Sequence, residues 1–195
     1  MASNTTLCVA QEIKLDHDNV RDLFQRYKSA TDPKQKKAIA NTLIREMAVH
    51  GDAEELSIYK EYARFGLAGE AEHNKEEHAE VKRAVYEADT KNFESPDYDQ
   101  TMFKAFNIFD THAKEEEEQQ LNQLVAKIDK QENDKLARDF LKARKMAPTR
   151  PHPAAPQSGG MVQKAAGMQA SLADKVVETM QGREFVDLKY NHPEI

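Results

Sequence analysis

Apolar residues along the first 145 positions recur at helical rather than strand spacing, in four blocks separated by breakers. In the first block Ile13, His17, Val20, Phe24 and Tyr27 fall on one helical face. Thr31-Asp32-Pro33 then predicts a break and a new start, because proline's fixed φ and missing N–H suit a first helical turn. The second block puts Leu43, Met47, His50, Glu54 and Ile58 on one face and is expected to end near Phe65-Gly66, where glycine can take a left-handed stop. A third helix is expected from about Gly69 towards Ala88, with His78, Val81 and Val85 facing inward. After the turn signal Ser95-Pro96-Asp97, a fourth carries Met102, Phe106, Phe109, His112 and Glu116. It continues, or restarts after a kink, through Leu121, Leu124 and Ile128 towards Leu141. Short connections favour antiparallel neighbours. The predicted fold class is therefore all-α: an up-down-up-down four-helix bundle over residues 1–145, with a C-terminal extension containing an additional helix.

The composition changes at Met146. The stretch MAPTRPHPAAPQSGG, residues 146–160, is rich in Pro, Ala, Gly and Ser and reads as a linker or a surface strap. Residues 161–195 form an amphipathic helix and tail. Met161, Ala165, Met168, Leu172, Val176 and Met180 make the apolar stripe of that helix. Packing on the bundle is the expected role of its methionines, which are common gap-fillers, and ligand binding is the alternative. The final stretch, ending Asn191-His192-Pro193, has no assigned structure.

Charge narrows the function classes. The net charge is -6, from 34 acidic and 28 basic residues that are interspersed without a basic block. No nucleic-acid partner is expected, because phosphate neutralisation needs a basic surface. The start MASNTTLCVA lacks the charged and apolar regions of a secretory signal, and no apolar run approaches a bilayer span. A soluble cytoplasmic protein with no membrane partner is expected. The one cysteine, Cys8, has no internal partner and reads as a bystander near the terminus.

The chemistry lies in a duplicated pattern. His50-x3-Glu54-Glu55 recurs as His112-x3-Glu116-Glu117. Each copy is preceded by an acid-histidine pair: Asp16-His17 lies 33 residues before His50, and Glu77-His78 lies 34 before His112. Residues four apart share a helical face, so each His-x3-Glu aims a nitrogen and a carboxylate at one point. These faces are the apolar ones. A buried carboxylate without a partner is costly, and a divalent cation supplies the missing charge. His17, His50, Glu54, His78, His112 and Glu116 give six donors from four helices, enough for two metal ions bridged by two glutamates. Nitrogen and carboxylate donors suit iron, with manganese or zinc as alternatives. A single His-x3-Glu more often lies on a solvated helix face; convergence of four helices in a two-fold repeat favours the metal site.

The combination resembles the hemerythrin-like, or HHE cation-binding, family over roughly residues 10 to 130, of the fungal or bacterial type. It rests on Asp16-His17-Asp18, His50-x3-Glu54-Glu55, a third-helix histidine and His112-x3-Glu116-Glu117. The Thr149-Arg150-Pro151-His152-Pro153 segment is also similar to the stretch after the bundle in some members. The resemblance implies a four-helix bundle with two non-haem iron ions that meets dioxygen or related small molecules. Carried over, its ligands are His17, His50, Glu54, His112 and Glu116. In the third helix, hemerythrins proper place two histidines four apart, whereas His73 and His78 are five apart, about 140° on a regular helix. Repeat spacing favours His78. A π-bulge in this helix would admit His73 as a further ligand, and a solvent-facing His73 is the alternative. The oxygen carriers place an aspartate five residues after the last histidine, where this chain has Glu116 four after His112; this departs from reversible oxygen transport. Glu55 and Glu117 are assigned mainly to a solvated face or to a place just behind the ligands, and Asp16 and Glu77 likewise, with a hydrogen bond to a liganding histidine as the sharper alternative.

The leading functional expectation is a di-iron protein that binds, senses or buffers dioxygen, nitric oxide, peroxide or iron. The alternative is a di-iron oxidase or oxygenase acting on an organic substrate or on peroxide, with Tyr27, Tyr59, Tyr62 and Phe109 as candidate pocket residues. A ferritin-like oxidase expects two Glu-x-x-His motifs, and only Glu70-x-x-His73 is present. A metal-free interaction bundle leaves the repeated histidines unexplained.

Overall fold

The computed structural model describes residues 6–155 and 161–194. Residues 156–160 of the predicted strap and the side chain of Met161 lie outside the described residues. The four predicted helices form. Helix α1 spans Val9–Ser29 and α2 spans Pro33–Ser57, the second started by the Asp32 carboxylate, which accepts from the Gln35 N–H at 2.7 Å. One further turn, α3 (Tyr59–Tyr62), runs into a 3₁₀ turn at Ala63–Phe65 that Gly66 ends with φ +70°. Helix α4 spans Ala68–Thr90, and α5 spans Tyr98–Glu115 before passing through a π turn at Glu116–Gln120 into α6, Leu121–Lys127. Helices α1, α2, α4 and α5 close into a ring in which each packs on its neighbours, the four-helix bundle expected.

The core is not one continuous oil drop. One cluster, including Val20, Phe24, Leu43, Met47, Val81, Val85, Met102, Phe106 and Phe109, fills one end of the bundle. A second, including Ile13, Ala53, Tyr59, Tyr62, Leu121, Leu124, Leu136 and Phe140, fills the other. Between them His17, His50, Glu54, His78, His112 and Glu116 lie buried. A polar belt between two dry plugs persists only if something satisfies it.

The fourth helix does not run on to Leu141. It breaks at Ile128, and a separate helix α7, Lys130–Met146, folds back across α1 and α2. Asp129 starts it, accepting from the Glu132 N–H at 2.8 Å. Leu136, Ala137, Phe140 and Leu141 of α7 are buried on the second core cluster.

The last helix, α8 (Met161–Met180), corrects one expectation. Its apolar stripe faces solvent: Met168, Leu172, Val176 and Met180 are all exposed, as is Ala165. The face against the protein is polar, with Ser171, Asp174 and Glu178 buried. Asp174 sets this orientation. It accepts from the Thr149 and Arg150 N–H groups, each at 3.1 Å, and lies 3.0 Å from His152 Nε2. Three donors from the Thr149–His152 strap outweigh an apolar stripe that would have to displace them.

Candidate metal centre

Each histidine of the repeat arrives with its orientation already fixed. His17 Nδ1 is 2.8 Å from Glu117, His50 Nδ1 is 3.3 Å from Asp16, His78 Nδ1 is 3.3 Å from Glu55 and His112 Nδ1 is 2.7 Å from Glu77. A carboxylate only accepts, so each Nδ1–H donates and each Nε2 is turned inward, where its lone pair can serve a metal once any proton on it has left. The arrangement obeys the repeat: Asp16 serves His50 as Glu77 serves His112, and Glu117 serves His17 as Glu55 serves His78. Of the two roles open to these four acids, a solvated face or a bond to a liganding histidine, all four take the second. Glu55 departs furthest, being buried against Lys82 Nζ at 2.8 Å, which in turn bonds Asp52 at 2.7 Å.

The Nε2 atoms meet in two pairs, His17 with His50 at 3.1 Å and His78 with His112 at 2.9 Å. Glu54 and Glu116 lie between the pairs. Glu54 Oε2 is 3.3 Å from both His50 Nε2 and His78 Nε2, and Glu116 Oε2 is 3.6 Å from His17 Nε2. The ligand atoms of His50, Glu54, His112 and Glu116 all fall within 4.8 Å of one another. Among the described residues, Glu54 Oε1 and Glu116 Oε2 have no hydrogen-bond partner. Facing nitrogens and partnerless buried carboxylate oxygens are what a cation would satisfy, so the residues fit one or two metal ions.

The electrostatics of these side chains agree. Burial pushes Glu116 up and the neighbouring Glu54 carboxylate adds to it, so Glu116 holds a proton well above the usual carboxylate range. Burial opposes ionisation of Glu54 too, but the charge on His50 wins and keeps Glu54 ionised. Burial would depress His50, yet Glu54 and Asp16 raise it to about 10. Burial and the charge of His78 depress His112 to about 4. Against burial, Glu54 and Glu55 likewise raise His78, so His50 and His78 carry the positive charge among these donors.

His73 stands apart. It is exposed on the surface of α4, its Nε2 3.0 Å from Glu115 and 3.6 Å from Glu77, and it does not join the buried donors. The π turn that would have brought it inward forms in the fourth helix instead, beginning at Glu116. Of the candidate pocket residues, Tyr59 reaches the centre: its hydroxyl donates to Glu54 Oε2 at 2.8 Å and lies 3.1 Å from His78 Nε2. Tyr62 packs against Tyr59, and Phe109 sits edge-on to His17 and His50 with ring centroids 5.8 and 5.3 Å away. Tyr27 is remote, bonded to Asp99. Sequence reasoning passed over Lys82, Arg144 and His192, which hold the acids that hold the histidines. Lys82 lies four residues after His78 on the same face of α4, and that spacing could have found it.

The hemerythrin HHE cation-binding domain matches residues 8–124. An uncharacterized hemerythrin-like protein of Schizosaccharomyces pombe is 26% identical over 176 residues, 89% of this chain and 86% of that protein. A DNA nickase of Nostoc sp. is 20% identical over 132 residues, 68% of this chain and 38% of that protein. No solved structure gives a significant match. With its donors converging where the repeat requires, the chain belongs to the hemerythrin HHE cation-binding family.

Proposed function

We propose that this chain holds a dinuclear non-haem iron centre that binds or senses a small oxidant such as dioxygen, nitric oxide or peroxide. The observation that carries the reading is the set of six buried donors, with four Nε2 atoms in two pairs and two carboxylates between them. His17 and His50 would hold one ion, His78 and His112 the other, and Glu54 and Glu116 would be shared. Manganese or zinc could take the same donors; iron adds the redox chemistry that a small oxidant needs.

The protein's own residues do the rest. The carboxylate partners keep each imidazole in the tautomer that presents Nε2. The two apolar plugs exclude bulk water from the belt, which strengthens every interaction of the centre and slows loss of an ion. Tyr59 presents a hydroxyl that burial and the neighbouring carboxylates keep protonated, and it donates a hydrogen bond to Glu54 Oε2 inside the site. That phenol is also the one observation favouring a second reading, an oxidase, since a tyrosine beside iron can exchange an electron as well as a proton. The Nostoc relative's nickase name lends no support to nucleic-acid cleavage here, because the match covers 38% of that protein and this chain carries a net charge of -6.

Loading the site is expected to release protons. A cation displaces the second proton on His50 and competes with the protons favoured by burial on Glu116 and by the neighbouring carboxylates on His78, so uptake at pH 7 sets protons free. Because protons compete with the metal, apparent affinity rises with pH through the neutral range. A pH-indicator titration in weak buffer checks this; uptake with no proton release contradicts it. The function itself is tested by exposing the anaerobic ferrous protein to nitric oxide or dioxygen. A new visible absorption band saturating with the loaded iron is expected, and an unchanged spectrum overturns the reading.

A further inference from the structure

The C-terminal tail is stitched along α1 and α2 by side chains reaching its main chain. Asn41 donates to the Glu184 carbonyl at 3.1 Å, and Thr42 Oγ1 accepts from the Val186 N–H at 2.9 Å. Arg26 donates to the Asp187 carbonyl at 2.9 Å. Asn19, fully buried, both donates to the Tyr190 carbonyl and accepts from its N–H, each at 2.9 Å. Val186 and Leu188 pack on the first core cluster. So many ties on a segment with no secondary structure deliver one side chain, His192, to the hollow between α1 and α7.

There both ring nitrogens are engaged. His192 Nε2 is 2.6 Å from Asp16 Oδ1, and Nδ1 is 2.8 Å from Glu12 Oε2. Donating to two carboxylates requires the imidazolium. Asp16 is buried, and its other oxygen faces Arg144 and the Nδ1–H of His50. Arg144 also bonds Glu46 at 2.9 Å. Phe140 fills the space between, edge-on to His50 and to His192 with centroids 6.3 and 6.4 Å away. The counterpart acid in the repeat has no such brace from the tail: Glu77 lies near the surface with His73.

We infer that His192 is a positioning residue for the metal centre: the docked tail holds Asp16 against His50, so that tail docking and metal occupancy stabilise each other. This rests on the dinuclear metal reading. Asp16 accepts from His50 with Oδ2, and a carboxylate free to rotate would offer that oxygen only part of the time. With His192 and Arg144 on its two sides, one rotamer remains, and the His50 ring is fixed with Nε2 inward. Coupling of this kind is reciprocal, so a bound ion must tighten the tail as much as the tail tightens the ion.

The test uses the full chain loaded anaerobically with ferrous iron. It follows iron transfer to a ferrous chelator and cleavage of residues 184–194 by a broad-specificity protease, with and without iron. His192→Ala is expected to release iron about ten-fold faster than the parent, in line with losses of acceptor-holding groups at metal sites. His192→Gln, which can still donate to Asp16, is expected to recover much of that difference. In the parent, iron should slow tail cleavage several-fold, and in His192→Ala it should not. Equal iron release from the parent and His192→Ala overturns the inference, even if the tail is cut faster, because the tail is then merely structural. Tail cleavage in the parent that ignores iron also overturns it. A parent protein that takes up no iron fails at the first step, and the metal reading falls with the inference.

Discussion

Glu54→Gln protein is expected to retain well under one iron per chain after desalting, against about two for the parent. The substitution keeps the side chain's volume, so the two apolar clusters stay packed. It removes the charge that lies 3.3 Å from His50 on one side and from His78 on the other. If Glu54 is the shared ligand proposed, its loss empties both positions. His112→Ala removes a donor from one pair only and should leave an intermediate load. The bare protein should remain folded in either case. In Glu54→Gln the largest charge that raises His50 is gone, so burial counts for more and His50 holds its second proton less tightly, with Asp16 alone still raising it. Metal analysis and thermal melts of the same samples check both halves. A Glu54→Gln protein with a full metal load would remove Glu54 from the centre.

Lys82→Met should destabilise the fold far more than loss of any surface charge. Lys82 is buried on α4 with Glu55 at 2.8 and 2.9 Å and Asp52 at 2.7 Å. Removing the cation leaves two acids in a dry site, at a cost of about 3–5 kcal/mol. Burial already raises Asp52, so that acid can take up a proton, which favours the lower end of the range. The melting temperature should fall by about 10 °C. Lys91→Met is the control: its pair with Asp97 is at the surface and is worth about 1 kcal/mol or less. Glu55→Gln in the Lys82→Met background should recover part of the loss. Equal melting temperatures for Lys82→Met and the parent would show that the Lys82–Glu55–Asp52 network contributes nothing to the fold.

Much of this was legible in the sequence because it is local. His50 and Glu54, or His112 and Glu116, are four residues apart, and helical geometry alone puts them on one face. The breaks at Asp32-Pro33 and Gly66 have local chemical causes as well. What was not legible depends on partners far away along the chain. Glu55 is about 100° round the helix from Glu54, which suggested solvent. In the fold α7 and the strap cover α2, so residues 46–59 have almost no solvent face. A restart was one of the two readings of the apolar run from Leu121 to Leu141, and its position at Lys130 has a local cause in the capping sequence Asp129-x-x-Glu132. The outward stripe of α8 follows from Asp174 and the strap's N–H groups, contacts that no periodicity announces. His73 looked like a ligand only on the assumption of a π turn in α4, and the turn lies at Glu116 instead.

The most direct test of the dinuclear centre is metal stoichiometry on the full chain, loaded anaerobically with ferrous iron, freed of loose ions and then studied by X-ray absorption. About two irons per chain, with an iron–iron separation of about 3.5–4 Å, is the expected result. A folded protein that stays metal-free, or that saturates at one ion, would contradict it.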